Sequence, residues 1–276
     1  MHKHLYFVAW LLATGLLMSC GQTARQTDTP DTAPEWRRVW SDEFNNSGAP
    51  DSSKWRYEEG YLRNHERQYY TRGRPENARV ENGRLIIEAR ADSAVIDGAI
   101  RPVTSASLVT KGKAEWTYGR IEVRAKLPKG RGTWPAIWML GSRIDSVGWP
   151  DCGEIDIMEH VGYAPGVIHT TIHTKAFNWM NGKQPTADTL IADCMDVFHV
   201  YAIHWDPEQI EFFIDSSRLL TFKNTHQGTD QWPFDTPHYL ILNLAIGGDW
   251  GGQKGVDSSL FPAAMQVDYV RVYQRQ

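Results

Sequence analysis

Three acidic residues lie within six positions of one otherwise apolar segment, Gly153 to His160, which reads GEIDIMEH. The acids are Glu154, Asp156 and Glu159. Because unpaired carboxylates are costly to bury in a strand of this kind, we expect them to face a solvent-filled cleft. Two carboxyl groups on one face of a strand could serve as nucleophile and proton donor in the hydrolysis of a glycosidic bond.

The alternation of side chains along a strand decides whether these acids can act together. Residues two positions apart share a face, so Glu154 and Asp156 point one way and Glu159 the other. A β-bulge near Met158 would insert one extra residue and return Glu159 to the first face. The alternative is that Glu159 faces solvent on the far side of an edge strand. The isoleucines on either side of Asp156 indicate a central strand, so we predict the bulge.

With the bulge, the two glutamates lie four strand positions apart, or about 13 Å at Cα for a rise of about 3.3 Å per residue. Their side chains could lean over Asp156 to the ~5–5.5 Å of retaining glycosidases, whereas inverting ones need ~6.5–9.5 Å. One glutamate must be ionised and the other protonated, so their environments must separate their pKa values. Asp156 could hold a proton or hydrogen-bond the nucleophile.

The rest of the chain predicts the sheet that positions this strand. Short runs of β-branched, aromatic and alternating residues are separated by turn signals such as Asn82-Gly83 and the segment 206–209. Polar and apolar residues alternate over 118–127, so one face of that strand is wet and the other buried. No stretch has a convincing amphipathic helical pattern. Many strands without intervening helices predict an all-β sandwich or jelly roll in a single domain, residues 36–276.

Composition narrows the choice of partners. The formal net charge of −4 provides no basic field for nucleic acid or an anionic membrane surface. The chain has 12 tryptophans, and flat amphipathic rings in excess of core needs suit the binding of sugars. We expect roughly half of them in the core, and the alternative is that most are core residues.

The N-terminal residues predict that the protein is located outside the cytoplasm. Residues 1–20 have a lysine, an apolar run and a terminal Cys20, which is typical of a signal peptide and resembles a bacterial lipoprotein lipobox. The alternative is an ordinary cleaved signal with a stray cysteine. Residues 21–35 predict a flexible tether. The protein would then reach a membrane only through the lipid on Cys20, in the periplasm or at the outer membrane or cell surface. Cys152 and Cys194 could pair or remain two buried thiols.

Several segments together resemble glycoside hydrolase family 16, and within it the bacterial laminarinases, which are endo-β-1,3-glucanases. They are WPAIWML (134–140), GEIDIMEH and the closing VDYVRVYQ (267–274). The likeness runs from about residue 36 to 276 and implies a concanavalin A-like jelly roll of two curved antiparallel sheets with an open cleft on the concave face. It implies that Glu154 is the nucleophile, Glu159 the general acid/base and Asp156 the assisting carboxylate. EIDIME is similar to the bulged laminarinase form rather than to the EIDIE of lichenases.

The same resemblance implies a set of sugar contacts. Asn64 lies in NHERQYYT, where His65 replaces a second Asn of the family pattern. His169 shares a strand face with His173, but no third ligand is spaced to complete a metal site. For each tryptophan the alternative is core packing. The expected substrate-binding residues are Asn64, Trp134, Trp138, Trp149, His173, Asn243 and Trp250.

A structural calcium ion on the convex side is also implied by the resemblance. Glu43, Gly83 and Asp268 occupy the matching positions, and calcium accepts carboxylate and backbone oxygens without strict geometry. Its role would be to hold the chain ends together. No cofactor would be required for the chemistry.

The function implied is that of a monomeric, retaining endo-β-1,3-glucanase acting on laminarin-like β-glucan. One alternative is a family 16 hydrolase of another glycan, either mixed-linkage β-1,3-1,4-glucan or an algal galactan such as agarose. A second alternative is a non-catalytic, lectin-like glycan-binding module, because a fold alone does not establish function. A lectin has no need of a glutamate pair with a carboxylate between them, so we favour the enzyme. Endo and exo action are not separated by the sequence.

Overall fold

The computed structural model describes residues 35–275. The predicted signal peptide, Cys20 and all of the predicted tether except Glu35 lie outside the described residues. None of the described helices is long and apolar enough to span a bilayer. The helical segments are α1 (Ile144–Val147) and two 3₁₀ turns, Trp179–Asn181 and Ser258–Leu260. The strands are β1 (Trp36–Asp42), β2 (Arg56–Tyr57), β3 (Tyr69–Tyr70), β4 (Ala78–Glu81), β5 (Arg84–Ala89), β6 (Ala94–Ile96), β7 (Ala99–Arg101), β8 (Thr104–Ser105), β9 (Ser107–Val109), β10 (Gly119–Lys126), β11 (Thr133–Gly141), β12 (Glu154–His160), β13 (Val167–His173), β14 (Thr186–Leu190), β15 (His199–Trp205), β16 (Gln209–Ile214), β17 (Ser217–Lys223), β18 (His238–Ile246) and β19 (Ala263–Arg275).

Two large antiparallel sheets form the body of the protein. The eight-stranded sheet has the order β17-β16-β15-β10-β19-β5-β4, with β1 also paired to β19. The seven-stranded sheet has the order β14-β13-β12-β11-β18-β9-β2. The acidic strand β12 therefore lies inside its sheet, between β11 and β13, and the predicted all-β sandwich is confirmed.

Alternating side chains build the core between the sheets. On β10, Ile121, Val123 and Ala125 are fully buried, as the alternation over 118–127 predicts. Glu122 differs from the prediction, because it is only 5% exposed on the opposite face. The Arg120 guanidinium donates a hydrogen bond to the Glu122 carboxylate and so compensates its burial.

The two turns predicted from sequence are also present. Asn82 and Gly83 join β4 to β5 with φ angles of 53° and 72°, the left-handed conformations that a tight hairpin turn requires. Between β15 and β16, the Asp206 carboxylate accepts hydrogen bonds from the backbone N–H groups of Glu208 and Gln209 at 2.8 and 2.9 Å. Tolerance of positive φ thus fixes the first hairpin, and side-chain hydrogen bonds fix the second.

Tryptophan and cysteine burial answers two questions left open by composition. Cys152 and Cys194 are both buried, and no disulfide forms between them in the described part of the chain. Cys194 packs in the core between the sheets, whereas Cys152 packs in a smaller apolar cluster on the outer face of the seven-stranded sheet. Five of the eleven tryptophans in the described residues are buried, which agrees with the expectation of roughly half; they are Trp55, Trp116, Trp138, Trp205 and Trp232.

Candidate active site

A β-bulge interrupts the acidic strand where alternation requires one. Across from β11, Met158 pairs with Ile137 and Asp156 pairs with Trp138, so Ile157 is an extra residue with no partner in the register. Such an insertion reverses the direction of the side chains that follow it. The predicted bulge near Met158 is confirmed.

The other neighbour, β13, shows the same irregularity in its pairing with β12. Asp156 pairs with Thr171 and Glu159 with His169, so the pair 157–158 stands opposite one residue. Both Ile157 and Met158 are buried in the core between the sheets, at 2% and 0% exposure. Because two consecutive side chains point inward, Glu159 returns to the outer face, which also carries Glu154.

Each glutamate accepts a hydrogen bond from a different indole. Trp149, in the loop before β12, donates its Nε1–H to Glu154 Oε2 over 2.9 Å. Trp134, on β11, donates its Nε1–H to Glu159 Oε1 over 3.0 Å. An N–H donor stabilises the charged form of a carboxylate and fixes its orientation. Two predicted sugar contacts, Trp134 and Trp149, therefore also position the acids.

Asp156 lies between the two glutamates and is only 3% exposed. His173 Nε2 lies 3.4 Å from Asp156 Oδ2 and 3.8 Å from Glu154 Oε1. Burial lowers the pKa of His173 to about 4, so its ring is neutral at pH 7 and brings no charge to the acids. Among the described residues, neither Asp156 Oδ2 nor His173 Nδ1 has a hydrogen-bond partner.

These groups are close enough to each other to surround a small ion. One ligand-type atom from each of Glu154, Asp156 and His173 lies within 4.8 Å of the other two. Acid chemistry explains the same closeness, because a protonated Asp156 can donate a hydrogen bond to Glu154. We therefore assign no metal to this cluster.

Burial raises the pKa of all three carboxyl groups. For Glu154 burial is the largest cause and the nearby charge of Glu159 adds to it, while the Trp149 N–H opposes the rise. For Asp156 burial again leads, followed by the charges of both glutamates, and its pKa lies well above the usual range. For Glu159 burial raises the pKa and the Trp134 N–H lowers it. Three close acids cannot all ionise at neutral pH, so the group retains a proton.

Trp138 and Asn243 were predicted as sugar contacts, but each is committed to partners inside the protein. Trp138 is 8% exposed, and the Arg63 guanidinium lies 5.0 Å from its ring centroid. Its Nε1–H donates to Asn243 Oδ1 over 2.8 Å, and Asn243 Nδ2 donates to the Tyr70 hydroxyl over 3.0 Å. This geometry does not support the predicted sugar contacts, because it leaves little of either side chain free.

Asn64 and its neighbour hold one edge of the site. The Asn64 carbonyl accepts the N–H of Asp249 at 2.9 Å, and His65 Nδ1 lies 2.9 Å from an Asp249 carboxylate oxygen. Gly248 has a φ of 75°, and a Cβ atom there would lie 2.9 Å from the Asn64 carbonyl oxygen. The two backbones therefore approach too closely for any side chain at Gly248.

Trp250 packs with Trp134 and His169 in a group of aromatic rings near Glu159. Its ring centroid lies 5.6 Å from that of Trp134 and 4.9 Å from that of His169, both in edge-to-face geometry. Such contacts stabilise a fixed ring orientation. The predicted sugar contacts Trp134 and Trp250 thus form one unit, next to the carboxylate of Glu159.

Two further residues in this region were not singled out from the sequence. Arg63, which directly precedes Asn64, covers Trp138 and forms an ion pair with Glu58. Its position next to a predicted contact was the only available signal. Trp179 lies six residues after His173 in a turn, where no periodicity marks it, and it stacks on Trp149.

The three residues predicted to bind calcium are distant in sequence from these acids. They lie where strands β1, β5 and β19 pair. Strand β19 pairs with the end of β1 and with the start of β5, and Asp268 lies between these two pairings. Glu43 directly follows β1, and Gly83 directly precedes β5. The backbone thus brings the three positions to one region.

The side chains at this position already have cationic partners. Glu43 accepts two hydrogen bonds from Arg271, at 2.8 and 3.0 Å, and one from Arg38 at 3.1 Å. Asp268 accepts one from Arg124 at 2.6 Å. The position and the oxygen donors suit calcium, but the arginines compete with it for the carboxylates.

Comparisons with known proteins give the family. Residues 65–271 match the family model described as glycosyl hydrolases family 16. A β-glucanase of Rhodothermus marinus is 54% identical over 275 residues, covering 96% of this chain and 93% of that protein. The X-ray structure of the laminarinase from Rhodothermus marinus has a TM-score of 0.84 at 54% identity, covering 88% of this chain and 99% of that one.

Two other relatives differ in the activity that their names give. The crystal structure of a mutant of a non-specific endo-β-1,3(4)-glucanase, co-crystallised with 1,3-β-D-cellotriosyl-glucose, has a TM-score of 0.84 at 50% identity, covering 87% of this chain and 95% of that one. A keratan-sulfate endo-1,4-β-galactosidase of Sphingobacterium multivorum is 39% identical over 243 residues, covering 87% of this chain but only 56% of that protein. The family model covers most of the length of this chain, and its two-sheet jelly roll superposes on solved members of the family. The chain therefore belongs to glycosyl hydrolase family 16.

Proposed function

We propose that this family 16 enzyme is a retaining endo-β-1,3-glucanase that hydrolyses laminarin-like β-glucan. The observation that carries the proposal is the bulge in β12, which sets Glu154, Asp156 and Glu159 on one face of the sheet. The β-glucanase and laminarinase relatives at 54% identity support the choice of substrate.

In the proposed reaction, a Glu154 carboxylate oxygen attacks the anomeric carbon while Glu159 gives its proton to the departing glycosidic oxygen. The bond to the leaving sugar breaks, and a glycosyl ester forms on Glu154. Glu159 then takes a proton from water, whose oxygen attacks the same carbon and displaces Glu154. Two inversions at one carbon restore the starting configuration.

The hydrogen bonds that Glu154 accepts support its role as the nucleophile. The Trp149 N–H and a proton on Asp156 can both stabilise the Glu154 anion. Burial raises the pKa of both glutamates, to about 8 for Glu154 and about 7 for Glu159, so burial alone does not select which of them is the acid. Both carboxyl groups lie on one face of the seven-stranded sheet, beside Trp134 and Trp149, where a glucan chain could cross the strands.

Azide can test the two roles, because it replaces a missing carboxylate as a nucleophile. We expect Glu154→Ala and Glu159→Ala to lower hydrolysis of laminarin by about 10²–10⁴-fold. With an activated aryl laminaribioside, azide should give Glu154→Ala an α-glycosyl azide by one inversion and Glu159→Ala a β-glycosyl azide by two. NMR of the products identifies each anomer.

The matched control is Glu208→Gln, which removes an exposed acid in the β15–β16 hairpin and should leave the activity unchanged. The opposite azide products would exchange the two roles. Unchanged hydrolysis of laminarin by Glu154→Ala would eliminate the proposed mechanism.

Substrate choice needs a separate comparison, because the relatives differ. Reducing ends released from laminarin, lichenan and agarose separate β-1,3-glucanase, mixed-linkage glucanase and galactanase activities. We expect laminarin to be the preferred substrate. No release from laminarin would reject that preference, and binding of laminarin without hydrolysis of any of the three would favour the lectin-like alternative.

We also propose, from the sequence of residues 1–20, that the mature protein is a lipoprotein outside the cytoplasm, anchored through Cys20. The protein expressed in a bacterial host should incorporate a labelled fatty acid, and Cys20→Ser should abolish this incorporation. Incorporation by both proteins, or by neither, would reject the anchor.

The proposed mechanism uses no cofactor. We propose a calcium ion at Glu43, Gly83 and Asp268 as a structural element only, and a monomer as the working state. The oxygen donors at that position suit calcium. Light scattering of the purified protein should give the mass of one chain, and a dimer mass would correct the monomer.

A further inference from the structure

One large aromatic side chain near the candidate site is open to solvent. Trp179 is 61% exposed, and it is the only tryptophan in the described part of the chain with such a large exposure. Scattered exposed apolar residues are ordinary on protein surfaces. The surroundings of Trp179 are what separate it from that background.

The first difference is that its turn is fixed by side-chain hydrogen bonds. Asn178 Oδ1 accepts the N–H of Met180 at 3.1 Å, and Asn178 Nδ2 donates to the carbonyls of Thr174 and Lys175 at 3.0 and 3.1 Å. Asn181 Oδ1 accepts the N–H of Asn178 at 3.1 Å, which closes a capping box. These hydrogen bonds therefore fix the backbone of the turn that carries Trp179 before any ligand arrives.

The second difference is that Trp179 is continuous with the site. Its ring lies on that of Trp149, with centroids 6.1 Å apart and an interplanar angle of 29°. The Nε1–H of Trp149 bonds Glu154. One face of Trp179 thus rests on a residue that touches the proposed nucleophile, and the exposed face lies one ring farther out.

The place of the turn in the sheet gives the direction of this extension. It connects β13 to β14, and β13 ends at His173, beside Glu154 and Asp156. A glucan chain that crosses β12 and continues over the end of β13 would reach this turn. The C–H face of a sugar in such a chain could stack on the flat apolar ring of Trp179.

We propose that Trp179 forms an additional sugar subsite, on which a β-linked glucose residue beyond those at the carboxylates stacks. This proposal rests on the proposed glucanase function. Because the backbone of the turn is fixed by hydrogen bonds and the ring stacks on Trp149, ordering of the protein should cost little conformational entropy when the sugar binds. The subsite would favour long glucan chains over short ones.

The test compares Trp179→Ala, Trp179→Phe and Met180→Ala on laminari-oligosaccharides of increasing length. Met180 is the matched control, since it lies in the same turn and is 59% exposed but has no ring on which a sugar could stack. We expect Trp179→Ala to lower kcat/KM on laminarin and on long oligosaccharides by about 3- to 10-fold, mainly through KM. On the shortest oligosaccharide cleaved, kcat/KM should be unchanged. Trp179→Phe should retain most activity, and Met180→Ala all of it.

The outcome separates a subsite from a structural role. Equal losses on short and long substrates would mean that Trp179 acts only by supporting Trp149, and no loss at any length would remove the subsite. Calorimetric titration of a long laminari-oligosaccharide into Glu154→Gln, with and without Trp179→Ala, measures binding without turnover. A wild-type enzyme inactive on β-1,3-glucan would reject the proposed function, whereas an active one with equal binding in both variants would reject only the subsite.

Discussion

Glu154, Asp156 and Glu159 share one buried patch, and burial raises the pKa of each. An acid with a higher pKa in the folded than in the unfolded state binds more protons when folded. Its effect is therefore neutral below its unfolded-state pKa of about 4 and becomes a loss of stability as the pH rises above it. The candidate site should destabilise the fold at neutral pH.

Replacing Asp156 by asparagine should remove the loss of stability that this acid causes at neutral pH. We expect Asp156→Asn to raise the free energy of unfolding at pH 7 by about 1–3 kcal/mol and to change it little at pH 3, where the wild-type acid is protonated in both the folded and the unfolded state. Activity should fall, because the amide cannot exchange a proton with Glu154. Urea unfolding at both pH values measures the effect, with Glu208→Gln as the exposed control. Equal stabilisation at both pH values would contradict a protonation origin.

The types of the site residues were easier to predict than their partners. Three acids in a β-favouring segment can be recognised from sequence, because both their cost and their chemistry depend on residue type. That Arg63 covers Trp138 depends on how a loop folds back over the sheet, which no local pattern encodes. The partners of Asn243 could not be predicted for the same reason, since its amide hydrogen-bonds two residues that are distant in sequence.

The bulge in β12 is the element on which the candidate site depends. Period-two alternation and the positions of the acids were enough to predict it, because the three acids cannot share a face otherwise. The hairpin at Asn82-Gly83 was equally predictable, as its turn needs residues that tolerate positive φ. Sequence did not give the inward packing of both Ile157 and Met158, because that requires a partner sheet.

Changing the length of this strand by one residue tests the alternation directly. Deletion of Met158 gives EIDIEH, in which the three acids share a face without a bulge. We expect this variant to keep measurable laminarin hydrolysis but to lose about 2–5 kcal/mol of stability, because a buried side chain is removed from the core. Insertion of one alanine after Met158 should turn Glu159 inward and abolish activity.

Both length variants are followed by circular dichroism and thermal unfolding, so that loss of fold is not mistaken for loss of the site. A folded insertion variant with wild-type activity would show that the face of Glu159 does not matter. A folded deletion variant without activity would show that the bulge itself, and not the shared face alone, is required.

At the scale of the whole molecule, β19 joins parts of the chain that are far apart in sequence. It pairs with β1, β5 and β10 within the eight-stranded sheet. The fold class was predictable from the strand patterns, but this strand order was not, since turn signals identify only neighbouring hairpins. The ion pair between Glu43 and Arg271 closes the same junction.

The predicted calcium ion would act at this junction, in competition with arginine. We expect calcium at about 100 times its Kd to stabilise the protein by about 2.7 kcal/mol. For a chain of this size that is a rise in Tm of roughly 5–10 °C. Thermal unfolding in calcium chloride and in EDTA measures it, at constant ionic strength so that screening of the ion pairs is the same in both.

Two variants distinguish calcium binding from a general salt effect. Arg124→Ala removes the cation that pairs with Asp268, so it should lower Tm in EDTA and increase the rise on adding calcium. Asp268→Asn weakens the ligand set itself, so it should show little or no rise. If Tm is the same in calcium and EDTA for the wild type and for Arg124→Ala, the arginines alone hold this junction, and the calcium prediction is wrong. If magnesium produces the same rise as calcium in all three proteins, the effect is not selective, because a loose set of carboxylate and carbonyl oxygens should favour the larger ion.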